Sequence, residues 1–203
     1  MTENAAAGTT LPARPTTYAP LAVAALVGHP RAGSRTEKAA LTVADAIVDA
    51  LNTAGVLAER GTDLIGAEVA ADVFGPASQA VAARVDRVAD ADIVVVTTPT
   101  FRGAYTGLLK ALLDLSGRDS WVSTVAVPFQ VVGAPGHTLA ADLHLRPLLL
   151  ELGATTPTAA LVAEDSWFAD GTFEARLGAW VEQALPVLAA VAHALPRAGR
   201  TSR

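Results

Sequence analysis

Asp92-Ile93-Val94-Val95-Val96-Thr97 sets four consecutive β-branched residues between two polar ones. A strand with one face in water alternates apolar and polar residues. This run is apolar on both faces, so it reads as an interior strand of a parallel sheet covered on both sides. Toward the N-terminus, residues 77–89 read as a helix, 56–64 as an amphipathic strand, 35–53 as a helix, and 21–27 as a first strand ending at Gly28. Toward the C-terminus, residues 107–115 read as helix, 124–132 as an apolar β-prone run, 137–152 as helix, 155–163 as a fifth strand, and 173–194 as a final helix. Five strands alternating with helices predict an α/β fold, a doubly wound five-stranded parallel sheet with helices on both faces. Residues 1–18 are rich in Ala, Thr and Pro without a period and are expected to form a disordered arm. Residues 196–203 are expected to be a loose tail, leaving 19–195 as one domain.

Composition narrows the function. With 51% apolar residues among 203, the chain can bury a single large core without metals or cross-links. A formal net charge of -5 argues against a non-specific nucleic-acid surface, which needs clustered Lys and Arg. No basic amphipathic stretch points to a membrane surface. No run approaches the ~20 apolar residues of a membrane span. The run 21–27 is as apolar as a signal core, but Glu3 and a proline-rich lead stand where a basic region would be. The chain has no cysteine, which removes disulfides, thiolate zinc sites, iron–sulfur clusters and dithiol chemistry. That fits a reducing compartment, and a cytoplasmic protein is expected.

In doubly wound sheets ligands sit outside the carboxyl ends of the strands, so the loops after strands one, three and four are where chemistry belongs. The first is Gly28-His29-Pro30-Arg31-Ala32-Gly33-Ser34-Arg35-Thr36. Its backbone amides and the following helix N-terminus make an anion site, with Arg31, Ser34 and Thr36 as further donors. Ser34-Arg35-Thr36-Glu37 also fits the S-x-x-E capping box, so Ser34 has a purely structural role open to it as well. The spacing of Gly28 and Gly33 imitates a Walker A loop, but the lysine is missing, and G-x-G-x-x-G is absent too. A short loop with hydroxyls and one arginine suits a terminal phosphate monoester, such as FMN carries.

The third-strand loop, Thr98-Pro99-Thr100-Phe101-Arg102-Gly103-Ala104-Tyr105-Thr106-Gly107-Leu108-Leu109-Lys110, resembles the P-x-Y-x-x-x-Y-S/T-G-x-L-K segment of the NADPH-dependent FMN reductase family. The first loop resembles that family's G-S-P-R-x-x-S-R-S/T at Gly28, Pro30, Arg31, Ser34, Arg35 and Thr36, with His29 in place of serine. The likeness covers about residues 20–190 and is greatest to the alkanesulfonate-system reductases. It implies a flavodoxin-like sheet of order 2-1-3-4-5. It also implies an FMN phosphate near His29, Arg31, Ser34 and Thr36, and a flavin ring along Pro99, Thr100, Phe101, Arg102 and Tyr105. Phe101 stands where the family has its first tyrosine, keeping a ring and losing a hydroxyl. After strand four, Gly133, His137, Arg146 and Pro147 keep the family frame, while Ala134 replaces a second glycine. Gly133, Ala134 and His137 are therefore expected beside the ring, although a histidine opening a helix can equally be a cap. Pro147 should kink its helix or free a carbonyl. In the resembling reductases an irregular turn there lies between subunits, implying a homodimer or homotetramer, with Leu143 at the matching position.

The resemblance implies hydride transfer from NADPH or NADH to FMN, with reduced flavin passed to a monooxygenase. Such transfer needs stacking and orientation more than acid–base groups, so no catalytic side chain is expected. The tail phosphate of the nicotinamide cofactor has Arg102 or Arg31 to meet, and Arg102 reads equally as a solvated charge. No G-x-S-x-G elbow, no H-E-x-x-H pair and no metal site is visible. A flavodoxin-type electron carrier and a quinone or chromate reductase with retained FMN are the alternatives.

Overall fold

The computed structural model describes residues 19–117 and 119–194. The arm expected over 1–18 and the tail expected over 196–203 lie outside the described residues. The chain runs β1 (Leu21–Val27), α1 (Arg35–Thr53), β2 (Ala58–Arg60), β3 (Leu64–Ile65), α2 (Gly66–Val69), α3 (Ser78–Ala89), β4 (Ile93–Pro99), α4 (Gly107–Leu113) and β5 (Val125–Val132). A 3₁₀ turn (Pro135–His137), a π-helical turn (Ala141–Leu145), α5 (Arg146–Glu151), β6 (Leu161–Glu164), α6 (Asp165–Ala169) and α7 (Phe173–Ala194) complete it. All strand pairs are parallel, in the order β2-β1-β4-β5-β6, with β3 also on β1. This is the expected order once the second strand is counted in its two pieces.

The β-branched run that pointed to a two-sided sheet is buried throughout as β4. Its Ile93 and Val95, with Val23, Ala25 and Val27 of β1, pack under α1 and α7. Val94 and Val96, with Ala24 and Leu26, pack under α3, α4 and α5. Alternate residues thus feed two cores, which is why neither face could show a polar period.

Three elements depart from the sequence expectation. The strand over 56–64 divides, because a carboxylate enters the ladder. Gly61 N–H still donates to the Val23 carbonyl at 2.8 Å. The next donor, Ala25 N–H, goes to Asp63 Oδ1 at 2.7 Å, and Arg60 holds both Asp63 oxygens at 2.7 and 2.6 Å. The helix over 137–152 breaks into the 3₁₀ turn, the π-helical turn and α5. Pro147 has no N–H for the carbonyl one turn back, and the widened turn sits immediately before the helix that carries it.

The strand over 155–163 shrinks to Leu161–Glu164, plus one bridge between Val125 and Thr155. Side chains take three of its carbonyls. Arg146 donates to Thr156 O and Thr158 O, both at 2.9 Å, and Trp180 Nε1 donates to Ala159 O at 3.2 Å. Among the described residues, no helix is long and apolar enough to cross a membrane.

Candidate functional site

Four strand ends converge on one cleft, and the turn after β1 anchors it. A Cβ on Gly28 would lie 2.4 Å from Leu109 Cβ, so only glycine lets α4 approach this closely. Gly28 N–H donates to Thr97 O at 2.7 Å, and its carbonyl accepts from Thr106 Oγ1 at 2.5 Å. The same Thr106 oxygen accepts Leu109 N–H at 3.0 Å as the N-cap of α4. One buried hydroxyl therefore ties the loop after β1 to the loop after β4.

In the first loop, His29 is 5% exposed. Its Nδ1 lies 3.0 Å from Arg31 N and 3.2 Å from Arg31 O, so it accepts from the amide in one tautomer and donates to the carbonyl in the other. Burial pushes the pKa of His29 below its ordinary value. Ser34 caps α1: its Oγ accepts Glu37 N–H at 3.2 Å, while Glu37 Oε2 accepts Gly33 N–H at 2.8 Å. The N–H groups of Arg35 and Thr36 open the helix without intrahelical acceptors, leaving a partial positive charge in front of them.

The second loop is a miniature hairpin. Phe101 and Ala104 exchange backbone hydrogen bonds of 2.9 and 3.2 Å across Arg102 and Gly103, whose φ angles are 55° and 84°. Two positive φ values in a two-residue turn are the I′ signature, and Arg102 carries the strain of a side chain in that region. Gln130, fully buried on β5, donates from Nε2 to Thr100 Oγ1 at 2.8 Å and to Ala104 O at 3.3 Å. The hairpin is thereby fixed to the sheet. It presents Phe101, 50% exposed, with its ring edge-on to His29 at 6.5 Å.

The cleft between these loops has a volume of about 360 Å³. It gathers His29, Arg31 and Thr36 from the first loop, Pro99, Thr100 and Phe101 from the second, and Gly133 from the third. Five other sequence-predicted residues do not line it. Ser34 has its hydroxyl in the cap, and Arg102 is exposed at the hairpin tip. Tyr105 is half-buried against the core beneath α3 and α4, and Ala134 and His137 are exposed on the 3₁₀ turn. Three lining residues were not foreseen: Arg35, Val131 and Asp165. Arg35 lies in the loop after β1, where its sequence context points to the capping box and the family motif rather than to a ligand. Asp165 follows directly on β6, where the carboxyl-end rule could have found it.

The two ends of the cleft differ chemically. Arg31, Arg35, Thr36 and the α1 N-terminus suit an anion. Pro99, Phe101, Val131 and Gly133 offer apolar surface and bare backbone to a flat ligand. A Cβ on Gly133 would point toward Asp165 Oδ2, 3.9 Å away, so glycine keeps that width open. A phosphorylated planar group fits this donor set. Among the described residues, no group of three His, Cys, Asp or Glu is placed to hold a metal ion.

Comparison with known proteins points the same way. Residues 21–169 match the model of a family described as NADPH-dependent FMN reductase. The NADH-dependent FMN reductase SfnE of Pseudomonas putida is 36% identical over 117 residues, 55% of this chain and 63% of that protein. FMN reductase (NADPH) of Escherichia coli K12 is 35% identical over 85 residues, 42% of this chain and 44% of that protein. The chain therefore spans less than two thirds of the length of these relatives. Among solved structures, an oxidoreductase from Corynebacterium diphtheriae aligns with TM-score 0.74 at 23% identity, over 87% of this chain and 99% of that one. The apo form of the NADH:FMN oxidoreductase EMOB aligns with TM-score 0.69 at 22% identity, over 89% of this chain and 93% of that one. At such identities the two structures speak for the fold.

Proposed function

Because the chain belongs to the NADPH-dependent FMN reductase family, we propose that it uses NADH or NADPH to reduce FMN and releases the reduced flavin. The observation that carries this is the cleft itself, with a cationic helix N-terminus at one end and a flat, mostly apolar surface at the other. In this reading Arg31, Thr36, the opening N–H groups of α1 and the imidazole of His29 hold the phosphate. Pro99, Thr100, Phe101 and Gly133 flank the ring. Bound FMN supplies the acceptor for a nicotinamide hydride, and the protein's own task is to align the two rings and exclude water between them.

Phe101 is the single Phe, Tyr or Trp lining the cleft among the described residues, which supports a releasable flavin over the doubly stacked flavin of an electron carrier. Leu139, Leu143 and Leu150 stand exposed around the π-helical turn, and we assign them to a homo-oligomer interface. A flavin-dependent monooxygenase in the cytoplasm is the proposed consumer of the product. The direct test is oxidation of NADH or NADPH that depends on added FMN. Nicotinamide oxidation indifferent to added FMN would exclude the proposal.

A further inference from the structure

An anion site rarely carries its own carboxylate, yet Asp165 lines this cleft together with Arg31 and Arg35. Arg35 Nη1 sits 2.8 Å from Asp165 Oδ1, and the guanidinium lies over the Phe168 ring, 5.5 Å from its centre. Both contacts come from α6, so Arg35 is held on the β6 side of the cleft although it opens the helix that faces the anion. Resting on the FMN reading above, we propose that Asp165 is an affinity-setting residue. It engages Arg35 and so withholds a second guanidinium from the phosphate, which keeps flavin binding weak enough for release.

The physics permits this because the pair is soft. The two side chains are 53% and 55% exposed, and ion pairs at that exposure are held loosely by high dielectric and salt. Removing the carboxylate frees Arg35 to swing toward a dianion beside Arg31, where a charge-assisted bond forms and a repulsive charge is gone. Retained prosthetic groups need far tighter binding than diffusible ones, so one such contact shifts the balance toward retention.

The experiment measures FMN and riboflavin dissociation constants by flavin fluorescence for wild type, Asp165→Asn, Arg35→Gln and the double variant, with thermal melts to verify folding. Asp165→Asn is expected to tighten FMN about fivefold and leave riboflavin unchanged, and the gain should shrink as salt is raised. In the Arg35→Gln background the same substitution should give no gain, since there is no guanidinium left to release. Tightening of both flavins alike, no tightening, or an equal gain without Arg35 would each overturn the proposal. Wild type that does not bind FMN at all would instead defeat the FMN reading on which it rests.

Discussion

Arg31 and Arg35 both face the cleft, but among the described residues only Arg35 has a carboxylate partner. Arg31 thus offers its charge to an incoming phosphate. Charge-assisted hydrogen bonds contribute about 1.5–3 kcal/mol, roughly ten- to a hundredfold in affinity. Arg31→Ala should weaken FMN by at least about tenfold and barely change riboflavin, as measured by flavin fluorescence titration. Equal losses for both flavins would place Arg31 away from the phosphate. His29 supplies a pH prediction. Its pKa is lowered in the fold by burial, so the unfolded chain binds more protons through the window just below the ordinary imidazole value of 6.5. The stability that His29 contributes is complete above 6.5 and is lost as pH falls toward the lowered value. Ligand-free wild type should therefore lose stability relative to His29→Asn as pH drops through that window, followed by urea denaturation at each pH. A pH-independent difference between the two would refute the neutral, buried imidazole.

Elements with strong periods were legible, and those built on side-chain substitutes for backbone were not. The helices Arg35–Thr53 and Phe173–Ala194 begin and end where the apolar period does. Residues 155–160 look like strand because they are Thr-rich, but the carbonyls of Thr156, Thr158 and Ala159 belong to Arg146 and Trp180, ten or more positions away in sequence. No local pattern announces such a partner. Asp63 hides the break between β2 and β3 in the same way, by standing in for a carbonyl. Arg146 is thus a structural staple as well as a motif position. Arg146→Met should cost about 2–4 kcal/mol, because two buried-side carbonyls lose a charged donor. Chemical denaturation gives the value, and a cost under about 0.5 kcal/mol would show that solvent replaces the guanidinium freely.

The whole molecule follows from the reading of one buried strand: two apolar faces require two helical layers, and two layers send every loop of interest to one edge of the sheet. Most of the cleft was legible from that edge together with the family resemblance, including His29, Arg31, Thr36, Pro99, Thr100, Phe101 and Gly133. Asp165 lies at the same edge, but its role was not legible, because it depends on Arg35, 130 positions earlier. Assembly is a property of the same scale. Leu143 is 63% exposed on the π-helical turn, so Leu143→Glu should leave the melting temperature of the isolated fold nearly unchanged while converting a homodimer or homotetramer to monomers in sedimentation. A wild-type monomer would contradict the interface. Whether flavin enters and leaves this cleft as a substrate, as proposed, is decided by the stoichiometry of its reduction. Enzyme, excess FMN and excess NADH or NADPH are mixed without oxygen, and the loss of flavin colour is counted per chain. Many equivalents should be bleached per chain, with the reduced flavin separating from protein on gel filtration. One equivalent bleached and retained would contradict the proposal.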